Sequence, residues 1–272
     1  LLKLLNEPTM NPISVLQITD LHIQPELHDT FLGINTEHYF NAILDLAFTK
    51  VKPIDLILVT GDLAQDPCSA SYLRILKSLE AYNTPSICIP GNHDDYALMQ
   101  QIFCTDQVTC RKQISFENWQ LICLNSQIQG APSGYLSKQE LLFLEDCLSN
   151  TTNQHPLIAV HPHCLKTNSA WLDTMMIKNR KAFLSILKQY PQVKAVTTGH
   201  IHQTIETITD GILVFGTPST CFQFKPQSQD FSLDTTQPGY RVINLYPDGH
   251  IESNITLHPE PLKGLQINTQ SY

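Results

Sequence analysis

No stretch of this chain gathers the basic residues that a phosphate-backbone binder uses. Its 17 lysines and arginines face 25 aspartates and glutamates, for a net charge of −8, so no nucleic-acid partner is expected. No apolar stretch approaches the roughly 18 residues of a membrane span, and no membrane partner is expected either. The eight cysteines, at positions 68, 88, 104, 110, 123, 147, 164 and 221, include no CxxC pair. They read as reduced core thiols of a cytoplasmic protein. The opening leucine-rich residues 1–5 are too short for a signal h-region. Residues 1–12 are read as an N-terminal extension, with Met10 as a candidate natural start.

Charge is also scarce, at 15% of residues, and polarity falls instead to uncharged side chains and 11 histidines. At 272 residues the chain can bury a large core without staples. Apolar, β-branched-rich runs at 13–19, 54–60, 86–89, 157–160 and 193–198 read as strands, several of them continuous enough to be covered on both faces. Helical patterns fall between them: through Tyr39, Ile43, Leu46 and Lys50, at 71–81, after Asp94, after the capping-box sequence Ser137 to Glu140, and at 178–190. Glu117-Asn118 reads as a turn between strands at 113–116 and 119–125. After Gly199 helices cease. Hairpins are expected around Asp210-Gly211 and Asp248-Gly249, with a loop at 223–239 between them. The fold class is α/β, in layers of sheet and helix, with a β-rich C-terminal part at 204–272. No linker or repeat interrupts the chain, and a single domain over 1–272 is expected.

The strands end in polar clusters of metal-ligand type: Asp20-Leu21-His22, Gly61-Asp62, Gly91-Asn92-His93-Asp94, His161-Pro162-His163 and Gly199-His200-Ile201-His202. In open α/β sheets the crevice beyond the carboxyl ends of the strands is where ligands bind. The convergent donors are then the carboxylates of Asp20 and Asp62, the amide of Asn92, and the imidazoles of His22, His161, His200 and His202. This mixed O/N set without thiolate suits Mn, Fe, Zn or Co, and it exceeds what one ion needs. Two ions are implied. A bridging carboxylate would hold them about 3.5 to 4 Å apart, as in sites that clamp the attacking and leaving oxygens of an in-line displacement. His200 and His202 are expected on extended backbone, where both side chains point the same way.

The ordered set DxH, GD, GNHD, H, GHxH, from Gln17 to His202, resembles the calcineurin-like metallophosphoesterases. The resemblance implies an α/β/β/α sandwich. It assigns one ion to Asp20, His22, Asp62 and His202 and the other to Asp62, Asn92, His161 and His200, with Asp62 bridging. It makes His93 the acid on the phosphate side, places His22, Asn92, His93 and His202 in contact with substrate, and puts Asp66 and Asp94 behind the ligands. Ser169-Ala-Trp-Leu-Asp173, the segment Thr217 to Phe224, and Asp230 to Asp234 before Pro238-Gly-Tyr-Arg241 are similar to the bacterial class III 3′,5′-cyclic AMP phosphodiesterases, the CpdA/Icc group. That likeness implies a cytoplasmic enzyme that hydrolyses cyclic AMP to AMP by attack of a metal-bound hydroxide, with Mn or Fe favoured and Zn or Co compatible. His161-Pro-His163 departs from the run of histidines more usual there. His161, which directly ends its strand, is taken as the ligand and His163 as a residue behind it or against substrate. Trp171, Phe222, Phe224 and Tyr240 are either pocket walls or ordinary packing. Another phosphodiesterase (2′,3′-cyclic nucleotide or glycerophosphodiester), a phosphomonoesterase, and a noncatalytic metal-binding scaffold remain open. So does a homodimer, since hairpin edges can pair between subunits.

Overall fold

The computed structural model describes residues 11–151 and 153–270, so the expected N-terminal extension lies, up to residue 10, outside the described residues. The first half of the chain lays down strands β1 (Ile13–Ile18), β2 (Leu56–Thr60), β3 (Ser86–Ile89) and β4 (Val108–Thr109), with helices α1 (Thr36–Lys50), α2 (Ser69–Glu80) and α3 (Tyr96–Ile102) between them. The second half has β5 (Gln113–Ser115), β6 (Trp119–Cys123), α4 (Lys138–Asn150), β7 (His155–Val160), α5 (Arg180–Lys188) and β8 (Ala195–Thr198). The C-terminal third adds β9 (Ile205–Thr209), β10 (Ile212–Gly216), β11 (Gln223–Phe224), β12 (Leu233–Asp234), β13 (Gly239–Leu245) and β14 (Ile251–Leu257). Two six-stranded sheets result, ordered β14-β13-β1-β2-β3-β4 and β5-β6-β7-β8-β10-β9.

The continuous apolar runs arise because the inner strands are covered on both faces. Leu16 and Ile18 of β1 and Ile57 and Val59 of β2 pack under α1, α2 and α3. Val15, Leu56 and Leu58 on the opposite face meet Leu121, Leu157 and Ala195 of the second sheet. That sheet's outer face packs Ile158, Val160 and Val196 under Leu144, Leu148, Phe183 and Leu187 of α4 and α5. The layers run helix, sheet, sheet, helix, as expected. Each fully buried Leu or Ile contributes roughly 1.5 to 3 kcal/mol relative to exposure.

Toward the carboxyl ends of the strands the layer between the sheets turns polar. Val15 gives way to Gln17, Leu58 to Thr60 and Ala195 to Thr197, all of them buried.

The C-terminal hairpins form where expected, and Asp210 (φ 49°) and Gly211 (φ 81°) take the left-handed turn conformations that a two-residue hairpin loop requires. They do not make one separate end. β10 runs parallel to β8 inside the second sheet, whereas β13 runs antiparallel to β1 in the first. The residues 223–239, expected as a loop, contain the β11–β12 pair, with Gln223 opposite Asp234 and Phe224 opposite Leu233. Strands of two residues carry too little alternation to be read from sequence. At α4, Ser137 accepts the Glu140 N–H at 3.1 Å, but the Glu140 carboxylate does not complete the capping box. It accepts instead from the Asn125 N–H at 3.1 Å and Lys112 Nζ at 2.6 Å, tying the helix to the end of β6.

Candidate metal centre

The pairing of β1 and β2 continues into the loops that follow them. Asp20 N–H donates to the Gly61 carbonyl at 2.9 Å and His22 N–H to the Asp62 carbonyl at 3.0 Å. The third loop is pinned to the second by Asp94. Its buried carboxylate accepts from Gly91 N–H (2.8 Å), Leu63 N–H (3.1 Å), Ala64 N–H (3.2 Å) and the Tyr72 hydroxyl (3.0 Å). Burial and the nearby Asp62 charge push the Asp94 carboxyl up to about 6, against the pull of those N–H donors. Glycine is required twice here. A Cβ on Gly61 (φ 97°) would lie 2.3 Å from His161 Nδ1, and one on Gly91 would lie 2.1 Å from Asp62 Oδ1, so only a bare backbone lets these loops close.

Five of the seven expected ligands take left-handed backbone: Asp20 (φ 54°), His22 (47°), Asp62 (51°), His200 (68°) and His202 (45°). Each such residue costs on the order of 1 to 3 kcal/mol and persists only where the surroundings over-determine it, as at functional sites. The extended backbone expected at His200 and His202 is therefore not what places them. They serve different groups: Asp20, His22 and His202 offer donor atoms that all lie within 4.8 Å of one another, and so do Asp62, His161 and His200. Asp62 also falls in a third such group with His22 and His93. Asn92 Oδ1 lies 3.3 Å from His161 Nε2.

Proton accounting shows what these groups fit. His202 Nδ1 lies 2.8 Å from the Phe222 carbonyl and His161 Nδ1 lies 2.7 Å from the Thr60 carbonyl. A carbonyl only accepts, so both Nδ1 atoms carry the proton and, in the neutral ring, each Nε2 is a bare lone pair. His202 Nε2 points at His22 Nε2 (3.3 Å) and Asp20 Oδ1 (3.3 Å). His161 Nε2 points at Asp62 Oδ2 (3.2 Å) and Asn92 Oδ1. His200 is buried with neither ring nitrogen hydrogen-bonded. Acceptors turned on one another in a buried site need positive charge between them, and this arrangement fits two cations.

The ionisation pattern agrees at His22 and His200 and differs at His161. Burial drives the His22 imidazole down to about 3 and holds His200 well below the ordinary histidine range. Burial alone would raise Asp62, but His161 and His93 outweigh it and hold the carboxyl well below the usual carboxylate range. Burial also works against charge on His161, yet Asp62 and the Thr60 carbonyl raise its imidazole to about 9, so without a cation its Nε2 holds a proton against Asp62 Oδ2, and a bound ion would take that proton's place.

Around these groups the expectations divide. Asp94 lies behind the loops of Asp62 and His93, whereas Asp66 is exposed and its neighbour Gln65 lies against His22 and His93. Gln65 Oε1 meets His22 Nδ1 at 2.7 Å and the Gln65 carbonyl meets His93 Nδ1 at 3.2 Å. His93 N–H donates to Asp62 Oδ1 at 3.0 Å. His163 is buried, stacks on His200 with ring centroids 5.9 Å apart, and has Nε2 3.6 Å from Asp173 Oδ1; burial pushes it down to about 4. Of the four aromatics left open, Trp171 lines a cavity of about 440 Å³ together with Asn92, His93, Pro132, Met175 and Phe231. Phe222 and Phe224 pack against the rings of His22 and His202, and Tyr240 is buried in the core of the first sheet. Sequence reasoning passed over Gln65, Gln17 and Ser219, whose hydroxyl donates to the Asp20 carbonyl at 2.8 Å. None of the three stands in a motif, and only their placement marks them.

The four-layer sandwich, with carboxylates, an amide and imidazoles converging at its strand ends, defines a metal-dependent phosphoester hydrolase. The calcineurin-like phosphoesterase family model matches residues 13–204, and the chain belongs to that family. It is 39% identical over 246 residues to the 3′,5′-cyclic adenosine monophosphate phosphodiesterase CpdA of Vibrio vulnificus, covering 90% of each chain. It is 36% identical over 261 residues to a 3′,5′-cyclic-nucleotide phosphodiesterase of Nostoc, covering 96% of this chain and 98% of that one. Among solved structures, a dimetal phosphatase from Danio rerio superposes with a TM-score of 0.61 at 14% identity, covering 91% of this chain and 99% of the other.

Proposed function

We propose that this chain hydrolyses a phosphodiester, 3′,5′-cyclic AMP to AMP, on a two-metal centre. One ion would be held by Asp20, His22, Asp62 and His202, the other by Asp62, Asn92, His161 and His200. The observation that carries the reading is the pair of facing lone pairs on His22 and His202, with His161 turned on Asp62 and Asn92 beside a cavity of about 440 Å³ walled by Trp171. Likeness along 90% or more of the chain to phosphodiesterases named for cyclic nucleotides supports the substrate. The donor set suits Mn or Fe, and Zn or Co fit the same atoms. The shared apolar layer between the sheets supports one domain. All eight cysteines are free, which supports a cytoplasmic setting. Among the described residues no helix is long and apolar enough to cross a membrane.

Two bound ions would supply positive charge for the phosphate and water acidic enough to attack phosphorus near neutral pH. The chain's own groups do the rest. Asn92 and His93, at the cavity edge, meet the phosphate, and the flat face of Trp171 offers stacking to a purine. As the ring P–O bond breaks, the leaving ribose oxygen takes a proton from Nε2 of His93 in its doubly protonated form, while the Nδ1 proton stays hydrogen-bonded to the Gln65 carbonyl and orients the ring. Asp94 has no chemical step; it keeps the loops of Asp62 and His93 in register.

The test is kcat/KM for Mn-loaded protein on 3′,5′-cyclic AMP, 2′,3′-cyclic AMP, a glycerophosphodiester and a phosphomonoester. The 3′,5′-cyclic ester should lead. If a monoester leads, the phosphodiesterase reading fails while the metal reading stands.

A further inference from the structure

Two of the three donor groups draw on both sheets. Asp20 and His22 follow β1 of the first sheet, and His202 follows β8 of the second; Asp62 follows β2, while His161 and His200 follow β7 and β8. The spacing of the donors therefore depends on how the sheets are set against each other. Most of the layer between them is apolar, and hydrophobic contact has no preferred direction. It holds the sheets together without fixing their offset to the few tenths of an ångström that a metal site needs.

The directional side-chain contacts across that layer include Trp119 Nε1 to the Tyr246 carbonyl at 2.7 Å and, beneath the metal centre, those of Gln17. Gln17 is fully buried on β1 and its amide makes four hydrogen bonds, its whole capacity. Nε2 donates to Thr60 Oγ1 (2.9 Å) on β2 and to the Thr198 carbonyl (3.2 Å) on β8. Oε1 accepts from Thr197 Oγ1 (2.5 Å) on β8 and from Thr217 Oγ1 (2.8 Å) just beyond β10. The Thr198 carbonyl only accepts, which fixes the orientation of the amide.

The contacts of Gln17 lead directly to the donors. The Thr60 carbonyl takes the His161 Nδ1 proton, and Gly61-Asp62 follows it. Thr198 precedes Gly199-His200, and Thr217 precedes Ser219, which grips the Asp20 carbonyl. Behind Gln17 stands Arg241, its cross-strand partner on β13. That residue is fully buried, donates from Nε to Thr217 Oγ1 (3.2 Å) and from Nη2 to the Gly216 carbonyl (3.0 Å), and lies over the Phe215 ring at 4.7 Å.

We infer that Gln17, backed by Arg241, is the positioning residue that registers the two sheets beneath the metal centre and so sets the spacing of its two donor groups. This rests on the two-metal reading above. A fully satisfied buried polar network specifies one arrangement where apolar packing tolerates several.

The experiment is a Mn²⁺ titration of chelator-stripped protein by calorimetry, with the electron paramagnetic resonance spectrum of the loaded pair. It compares wild type, Gln17→Leu, the double variant Gln17→Leu with Thr197→Val, and Leu148→Ala in the core under α4. The double variant removes the amide together with one hydroxyl it would otherwise orphan, and so protects the fold. Both Gln17 variants should weaken at least one ion about 10- to 100-fold, the usual range for residues that orient ligands, and should alter the coupling signal between the ions. Leu148→Ala should lower the melting temperature without either change. Wild-type affinities and spectrum in the Gln17 variants, or equal losses in Leu148→Ala, overturn the inference alone. A wild-type protein that takes fewer than two ions overturns the two-metal reading and this inference with it.

Discussion

His22 Nε2 and His202 Nε2 lie 3.3 Å apart inside the protein, each on a ring whose Nδ1 is given to an oxygen acceptor. Two lone pairs at that distance repel, and a cation between them converts the repulsion into ligation. Metal should therefore stabilise the fold by mass action, by about 2.7 kcal/mol at a hundredfold excess over Kd. For a chain of this size that corresponds to roughly 5 to 10 °C in melting temperature. Differential scanning fluorimetry with and without a chelator measures it. His202→Leu should shrink the shift, and identical melting curves with and without metal would count against the site.

Asp62 belongs to two of the donor groups, one with His161 and His200 and one with His22 and His93, and His22 in turn joins Asp20 and His202. Asp62→Asn should lower metal content at both positions and abolish hydrolysis, whereas His202→Gln should chiefly deplete the ion near Asp20. Elemental analysis of the purified variants separates the two patterns. Two ions and full activity in Asp62→Asn contradict the bridging role.

His93 contacts Asp62 through its backbone N–H and Gln65 through its ring. Its replacement by alanine should leave both ions bound and lower kcat by about 10² to 10⁴, the usual contribution of general acid catalysis. The loss should be smaller for a nitrophenyl diester, whose leaving group needs no proton. An equal loss on both substrates would place His93 in phosphate binding instead.

Trp171 faces the cavity while its Nε1 donates to Ser228 Oγ at 3.1 Å. Trp171→Ala should raise KM for 3′,5′-cyclic AMP by about 5- to 150-fold, the worth of roughly 1 to 3 kcal/mol of base stacking. It should change KM for a nitrophenyl diester much less. Steady-state kinetics on the two substrates decides, and parallel increases would mean that the ring only supports the wall.

The strand ends were legible because strands buried on both faces give unbroken apolar runs, and a polar cluster after each run marks where the chain leaves the core. The placement of side chains around the ligands was harder to read. The resemblance pointed to Asp66, but the backbone pairing carried past β2, from His22 to Asp62 and from Ile23 to Leu63, turns Gln65 inward and leaves Asp66 exposed. The spacing of His200 and His202 suggested extended backbone, yet both are left-handed and reach different donor groups. Gln17 looked like one polar residue in an apolar strand. Its role depends on Thr197, Thr217 and Arg241, some 180 residues or more away in sequence, and no local pattern carries contacts of that range. Two-residue strands such as β11 and β12 are invisible for the opposite reason, being too short to hold a pattern.

The most direct test is the rate of 3′,5′-cyclic AMP hydrolysis followed as Mn²⁺ is added stepwise to chelator-stripped protein, with bound metal counted at each step. The account predicts two ions per chain and a rate that approaches its full value only as the second site fills. Full activity with one ion bound, or hydrolysis that survives complete metal removal, would contradict it.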